Sequence, residues 1–514
     1  MKSRTQNSMK NSTVALIGQT VVLLSQFITQ TAFVKFLGAQ YVGANGLFTN
    51  LLTLLSFADL GLGGAITYAL YAPLASDDHD VISSVMNLFR KTYHAIGLTI
   101  FGGGVIFSFF IRNFINDSST IPDVQLMFML FVINSAVSYF FAYLRSLLVA
   151  NQQGYVDTLN RVGFTAAQCV FQVITLAMFH QYLIFLILQI LFTLGSNLSL
   201  ARKTFKWFPY LRDAKHAKPV PANIVSTIKR NVVGAIASRF GIVVSNGTDN
   251  LLLSSFIGLV TVGKYTSYML IFTSSQNILN QGFSAVVSSI ANYSVEKNGR
   301  QEETVFFRYL YLVFGVAFVA SVSILVLIQS FISLWIGHTY LLPKTTVLGI
   351  VIVWFLNIMR YGVQGFITAH GLYWETRWKS ALEAIVNLLV SLILISQTHL
   401  GVNSVILGTL TATICISLWW EPFVLLKKIE GIHWQRTVWY YIRVFLVEGF
   451  FISVLWLTGV LDMVAKQSFL VALLNTVLVA LVGIIIYMLI NLGSNEQRYF
   501  INMTKRLLNK VGRR

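Results

Sequence analysis

Charge is what this sequence has least of. Asp, Glu, Lys and Arg make up 11% of its 514 residues, against about 25% in an ordinary soluble domain. So few charges cannot cover a water-facing surface of this size. A soluble enzyme, a nucleic-acid factor and a disordered scaffold are excluded together. Cysteine is nearly absent, and Cys169 and Cys415 both lie in apolar stretches, which leaves neither a disulfide framework nor a zinc site. The eight histidines show no HExxH pattern and no close pair. We therefore expect no metal, no cofactor and no catalytic residues. Seven prolines leave long helices uninterrupted.

Apolar residues fill the space that charge leaves. Hydrophobic residues are 55% of the chain, with 39 Phe, and the runs are long and continuous rather than alternating. That favours spanning helices over a barrel. Runs of the ~20 residues that a crossing needs occur at 13–35, 43–72, 93–111, 124–149, 159–179, 181–201, 232–257, 265–292, 306–334, 347–369, 380–397, 403–426, 439–460 and 468–491. The first follows Lys2, Arg4 and Lys10 as a signal peptide would. It is too long for one and lacks a small-x-small cleavage site, so a retained span is expected.

The formal net charge of +18 has a topological explanation. With the N-terminus inside, the inner segments hold 28 Lys and Arg and the outer segments five. Arg145, Arg161, Arg239 and Arg360 remain within or at the ends of spans. Cytoplasmic loops collect positive charge, so fourteen spans with both termini cytoplasmic, in the cell membrane, are expected. The basic stretch 202–230 and the tail 505–514 are placed to meet anionic lipid headgroups, and nucleic acid is not an expected partner.

The fold class is thus an all-α polytopic membrane protein, with two pseudo-symmetric six-helix lobes and two further helices. The expected divisions are an N-terminal lobe at 1–201, a basic cytoplasmic linker at 202–231, a C-terminal lobe at 232–426, spans thirteen and fourteen at 427–492, and a basic cytoplasmic tail at 493–514. Pro209, Pro219 and Pro221 fall in the linker.

The two lobes carry an internal repeat. Phe36 to Gly43 and Phe256 to Gly263 both read F-x-G-x-x-x-V-G at an offset of 220, each on the outer turn between the first two spans of its lobe. Gly258 to Lys264 also fits G-x-x-x-x-G-K, but Tyr265 stands where a phosphate-binding loop needs Ser or Thr. No strand precedes it, and Ala44 replaces the Lys in the first copy. The match is accidental.

The same offset pairs Gln19, Gln26 and Gln30 on one face of span one with Arg239, Asn246 and Asn250 on span seven. In lipid such stripes face protein or a water-filled cavity. They fit either helix–helix hydrogen bonding or a shared central cavity, the latter a common transporter plan. Span five adds Arg161, Thr165, Gln168, Gln172 and Thr175, and span eight Gln276, Asn280, Ser284 and Ser288.

Several segments resemble the polysaccharide repeat-unit (Wzx-type) flippases, which share a superfamily with multidrug extruders and lipid II flippases. Phe57 to Ala65 (FADLGLGGA) is similar to the family's second-span signature, and Leu147 to Tyr155 (LLVANQQGY) to the loop after span four. Thr248-Asp249-Asn250 with Phe256-Ile257-Gly258 resembles the start of the second lobe. Gly371-Leu372 with Glu383, Asn387 and Leu388 resembles the span-eleven region. The resemblance implies a flippase that moves an undecaprenyl-pyrophosphate-linked oligosaccharide outward by alternating access, with no bond made or broken. It also implies partners: the lipid-linked glycan, membrane lipids, and polysaccharide polymerase and assembly proteins.

A pyrophosphate cannot cross hydrocarbon unaided, and arginine suits its oxygens. Arg360, near the middle of span ten, is the first choice for a cavity cation. A structural ion pair with Glu383 is the other reading. Arg239, on the repeated stripe, favours the cavity. Arg145 and Arg161, nearer the cytoplasmic ends of spans four and five, read as interface anchors or as guides for an anionic headgroup. Asp249, Asp59 and Glu383 are candidates for a coupling ion. Asp59 also suits bracing of the bend at Gly61, Gly63 and Gly64, and Asp249 a pairing with Arg239. Rival readings are a lipid II flippase, a drug or cation antiporter of the same superfamily, and a membrane polysaccharide polymerase. The short outer segments, without paired acids or histidines, argue against the polymerase.

Cysteine-accessibility labelling tests the topology. Labels at Asn116 and His338 are expected to react from outside intact cells, and labels at His216 and Glu296 only after permeabilisation. Reaction at His216 from outside overturns the assignment.

Overall fold

Hydrocarbon offers no hydrogen bonds, so a spanning backbone must satisfy its own polar groups. The computed structural model describes residues 4–56, 62–116, 121–211, 220, 225, 228, 247–294, 299–372, 374–429, 431–461 and 468–511, and among these the regular structure is helix, with no strand. Among the described residues ten helices are long and apolar enough to cross a membrane: Thr13–Phe36, Val124–Ala150, Gly154–Phe179, Tyr182–Trp207, Glu302–Ile336, Lys344–Ala369, Arg377–Gln397, Val402–Lys428, Trp434–Leu457 and Phe469–Ile490. They coincide with spans one, four to six and nine to fourteen of the sequence reading.

The other four are described differently. Span two is carried by two shorter helices, Ala39–Leu55 and Leu62–Ala75. Span three is the helix His79–Ser108, whose Arg90 and Lys91 lower its apolar character. Span eight is Leu259–Ser294, thinned in the same way by Gln276, Asn277, Asn280 and Gln281. Span seven is described from Gly247, helical through Phe256. Its earlier part, with Arg239 and Asn246, lies outside the described residues, as do Asp59 and the rest of 57–61.

Contacts divide the chain into two compact units, Met1–Ser267 with Ile395–Gly401, and Tyr268–Leu394 with Val402–Arg514. In the first, span one packs along span five, span three along four, and span five along six. Its core has two layers. One gathers Phe33, Phe48, Phe128, Phe131, Tyr182 and Phe185, and the other Ile66, Phe89, Tyr93, Tyr143 and Leu147. In the second unit span nine is central, packing against spans ten, thirteen and fourteen.

The repeated F-x-G-x-x-x-V-G segments form equivalent corners that touch each other within the first unit. Gly38 and Gly258 have φ of +88° and +120°, a conformation that glycine holds without strain. Leu37 and Gly38 both donate to Phe33 O, at 2.9 and 3.0 Å. Ile257 and Gly258 both donate to Leu253 O, at 3.0 Å each. After each corner the next helix crosses its repeat-mate at a glycine. A Cβ on Gly43 would lie 2.0 Å from Leu259 O, and one on Gly263 2.1 Å from Ala39 O. Ala39 and Gly43 correspond to Leu259 and Gly263 at the 220-residue offset, so the crossing has local two-fold character.

Backbone, not a flexible side chain, occupies the space a methyl group would take. Gly43→Ala and Gly263→Ala are each expected to destabilise by about 1–3 kcal/mol through overpacking. Gly282→Ala, where an added Cβ meets nothing within 4 Å, should cost nothing. Thermal unfolding of the detergent-purified variants measures this, and a loss at Gly282 equal to the others would discount the crossing.

Candidate functional site

An arginine in the interior of a bundle must be paired, because its charge cannot be left in a medium without water. Arg360 on span ten is 8% exposed and fully engaged. Its Nε and Nη2 donate to Glu421 Oε2 and Oε1 at 3.2 and 2.8 Å, a two-pronged grip. Nη1 donates to Glu383 Oε1 at 3.0 Å and to Asn357 Oδ1 at 3.2 Å. Lys379, in the first turn of span eleven, donates to Glu421 Oε1 at 2.7 Å and lies 3.3 Å from Glu383 Oε2. Gln364 adds a bond to Glu421 Oε1 at 3.0 Å. Two cations and two carboxylates thus link spans ten, eleven and twelve with no net charge.

Local sequence explains how the partners arrive. Lys379 and Glu383 are four apart on one helix and share a face. Residues 357, 360 and 364 form one face of span ten. In span twelve a π-helical turn at Thr413–Ser417 precedes Glu421 and Pro422. Such a turn inserts one residue and rotates the following helix, which resets the direction in which Glu421 projects.

The first unit contains a lighter version of this arrangement. Arg145 on span four donates through Nη2 to Asn197 Oδ1 on span six at 3.2 Å, and its Nε lies 3.5 Å from Asp157 Oδ1 on span five. In each repeat an arginine on the fourth helix ties together the fifth and sixth. The Arg145 side chain keeps 35% of its exposure, and its Nε makes no hydrogen bond among the described residues. Arg161 is exposed on span five, with no side-chain hydrogen bond or ion pair among the described residues.

The polar stripes are brought together only in part. Gln30 donates to Ser267 Oγ on span eight at 2.9 Å. Asn250 approaches span two, its Nδ2 lying 3.5 Å from where a Cβ on Gly46 would stand. These are equivalent reaches from the two repeats. Gln19 is half-buried and Gln26 exposed. Asp249 carries a buried Oδ1 with no hydrogen-bond partner among the described residues. On span five Gln172 turns inward to Phe185 O at 3.1 Å and accepts from Gln168 at 3.2 Å, so that stripe serves helix packing there.

Arg360 and Glu383 therefore meet as the ion-pair reading anticipated. Sequence reasoning missed Lys379, which was counted with the loop charges, and Glu421, to which no role was given. The i, i+4 spacing of Lys379 and Glu383 was available as a signal. Nothing in the sequence marks the rotation that brings Glu421 to them.

No protein-family profile and no curated protein matches this sequence. Solved structures do resemble it. The lipid II flippase MurJ in an inward closed conformation has a TM-score of 0.65 at 14% identity, covering 93% of this chain and 98% of that one. An inward-facing multidrug resistance MATE family transporter of the MOP superfamily scores 0.62 at 15% identity, covering 80% and 96%. A MOP superfamily transporter from Pyrococcus furiosus, noted for the reverse polarity of its binding pocket, scores 0.51 at 12% identity, covering 86% and 96%. The chain has the fold of these polytopic membrane proteins.

The buried network makes a stability prediction. Arg360→Ala leaves two carboxylates facing one lysine and is expected to cost about 3–5 kcal/mol. Glu421→Gln should cost a comparable amount. Arg161→Ala, at an exposed position, should stay within about 0.5 kcal/mol of the parent. Thermal or denaturant unfolding measures all three, and an unchanged midpoint for Arg360→Ala would refute the network.

Proposed function

We propose that this chain is a transporter rather than an enzyme. In this reading it is a flippase of the cytoplasmic membrane that carries undecaprenyl-pyrophosphate-linked oligosaccharide repeat units to the outer leaflet by alternating access, for cell-surface polysaccharide synthesis. Polymerase and assembly proteins would act on the delivered unit. The observation that carries the reading is the extent of the structural likeness. The lipid II flippase covers 93% of the chain and the multidrug transporter 80%. Spans thirteen and fourteen, Trp434–Leu457 and Phe469–Ile490, are complete helices packed on span nine. A carrier of a lipid-linked cargo has more use for such added apolar surface than a carrier of small drugs. Lipid II is the second reading, since it shares the pyrophosphate and the lipid tail.

The electrostatics favour particular residues. A cation already neutralised by two carboxylates has little attraction left for a pyrophosphate, which moves Arg360 toward a bracing role. Arg161, exposed, and Arg145, half-engaged, retain theirs, and both lie toward the expected cytoplasmic ends of their spans. We assign them the capture of the anionic headgroup. Asp249 is the assigned coupling site, because a buried carboxylate oxygen with no hydrogen-bond partner among the described residues is suited to gain and lose a proton or sodium ion as access alternates.

Depletion of the protein should cause lipid-linked repeat units to accumulate on the cytoplasmic side. In reconstituted vesicles Arg161→Gln is expected to slow headgroup flipping about tenfold, the loss of one charge-assisted phosphate contact, with Arg161→Lys retaining most of the rate. Equal rates for Gln and Lys would remove Arg161 from capture. Asp249→Asn should make flipping indifferent to an imposed proton or sodium gradient. A wild-type rate that ignores both gradients would end the coupling assignment.

A further inference from the structure

We propose that the C-terminal helix Asn495–Val511 is an interfacial helix. It would bind anionic phospholipid headgroups through Arg498, Lys505, Arg506 and Lys510 while anchored to the ends of spans nine, thirteen and fourteen. The proposal rests on the membrane reading of the chain and is independent of which cargo is carried.

The first turn of this helix is held by the protein. Gly493, with φ +80°, turns the chain a few residues after span fourteen ends at Ile490. Ser494 Oγ then accepts from the Gln497 amide at 3.2 Å, capping the helix. Glu496 is buried and accepts from Arg436 Nη2 of span thirteen at 2.6 Å. Gln497 donates to Met488 O of span fourteen at 2.9 Å. Phe500 stacks on Tyr311 of span nine with centroids 5.5 Å apart, and the Arg308 guanidinium sits 3.8 Å over the Tyr499 ring. Arg436 also lies 3.5 Å from Glu303 and 4.0 Å from the Phe307 ring.

Beyond that turn the helix leaves its support. Ile501 to Arg506 are all exposed, and Ile501 and Met503 show 40% of their surface. At 100° per residue the four basic positions fall within an arc of about 140°. Positions 501, 503, 504, 507, 508 and 511, five of them apolar, fall on the opposite arc. The only acid in the helix, Glu496, is already engaged by Arg436, and among the described side chains Arg498, Lys505 and Arg506 are exposed with no ion pair. A basic polar face opposite an apolar face, on a helix that begins within a turn of a membrane span, fits an anionic bilayer surface. The charge of the bilayer complements the basic arc, and its acyl boundary accepts Ile501 and Met503. Because the first turn grips three spans, lipid binding would brace their ends.

The test uses the full-length protein with Cys169 and Cys415 replaced by serine. An environment-sensitive fluorophore is placed on Ile501→Cys or, as the polar-face control, on Asn509→Cys. Nanodiscs of phosphatidylcholine, with and without phosphatidylglycerol, provide the surface. The label at 501 is expected to shift to an apolar environment when phosphatidylglycerol is present, and to return as salt rises. The label at 509 should stay aqueous. Each of Arg498→Gln, Lys505→Gln, Arg506→Gln and Lys510→Gln should lower the phosphatidylglycerol preference about fivefold. A 501 label that is indifferent to phosphatidylglycerol and to salt overturns the proposal and leaves the face to a protein partner. The salt titration of the unsubstituted basic helix decides the matter even if the Gln variants fold poorly. No cargo is present, so failure here is distinct from failure of the flippase reading.

Discussion

The contact on which the repeat depends is backbone against backbone at Gly43 and Gly263. Lipid tails are as apolar as leucine, so helices in a bilayer gain nothing from simple hydrophobic burial against one another. They gain from close approach, and small residues permit it. Here the approach is close enough that carbonyl oxygens of Leu259 and Ala39 occupy the space of the missing side chains. The positive φ of Gly38 and Gly258 directs each chain into this crossing. The polar ends of the two stripes then fall beside it, Gln30 on Ser267 and Asn250 next to Gly46. Three features at one offset, the corner, the crossing and the flanking amides, make the repeat a structural fact rather than a sequence coincidence.

Charge inside the spans is handled by two opposite means. In the second unit Arg360, Lys379, Glu383 and Glu421 neutralise one another, and every ionised group has at least one partner of opposite sign. Such a cluster resists the removal of any member, because the remainder would be a buried uncompensated charge. Glu448 in span thirteen is held instead by a neutral partner. Glu448 accepts from Ser321 at 2.7 Å through one oxygen, while the other has no hydrogen-bond partner among the described residues. The network binds helices through charge, whereas Glu448 joins span thirteen to span nine through a hydroxyl.

The sequence was most informative where one simple rule acts alone. Hydrocarbon thickness fixes span length, so among the described residues ten of the fourteen runs reappear as long apolar helices, and the corner glycines were visible as a repeated motif. It was least informative where two helices jointly decide a contact. Arg360 was identified and Glu383 named as its partner, because each is conspicuous alone. Glu421 and Lys379 were not, since Glu421 reaches the cluster through a π-helical turn and Lys379 resembled one more loop charge. Gly102, Gly103 and Gly104 are consecutive in span three. Only Gly104 makes a tight contact, with an added Cβ falling 2.4 Å from Val132 Cγ1, while Gly102 meets open space. Which glycine touches depends on helix rotation, a property of the partner helix as much as of its own.

The two fourth-helix arginines show how one architectural device acquires two electrostatic meanings. Arg145 and Arg360 each join the fifth and sixth helices of their repeat. In the second repeat both neighbouring helices supply carboxylates, and Lys379 balances the extra negative charge, so the brace is strong and electrically silent. In the first repeat span five supplies one carboxylate at 3.5 Å and span six only an amide. That arginine is more exposed and retains unspent hydrogen-bonding capacity. Arg161 stands exposed further along span five. If both repeats were braced like the second, neither fourth-helix arginine would keep unspent hydrogen-bonding capacity. If both were braced like the first, the bundle would forgo its strongest polar tie. The same device thus ties three helices in each unit, through charge in the second and through one carboxylate and one amide in the first, where the Arg145 guanidinium keeps an Nε without a hydrogen bond among the described residues.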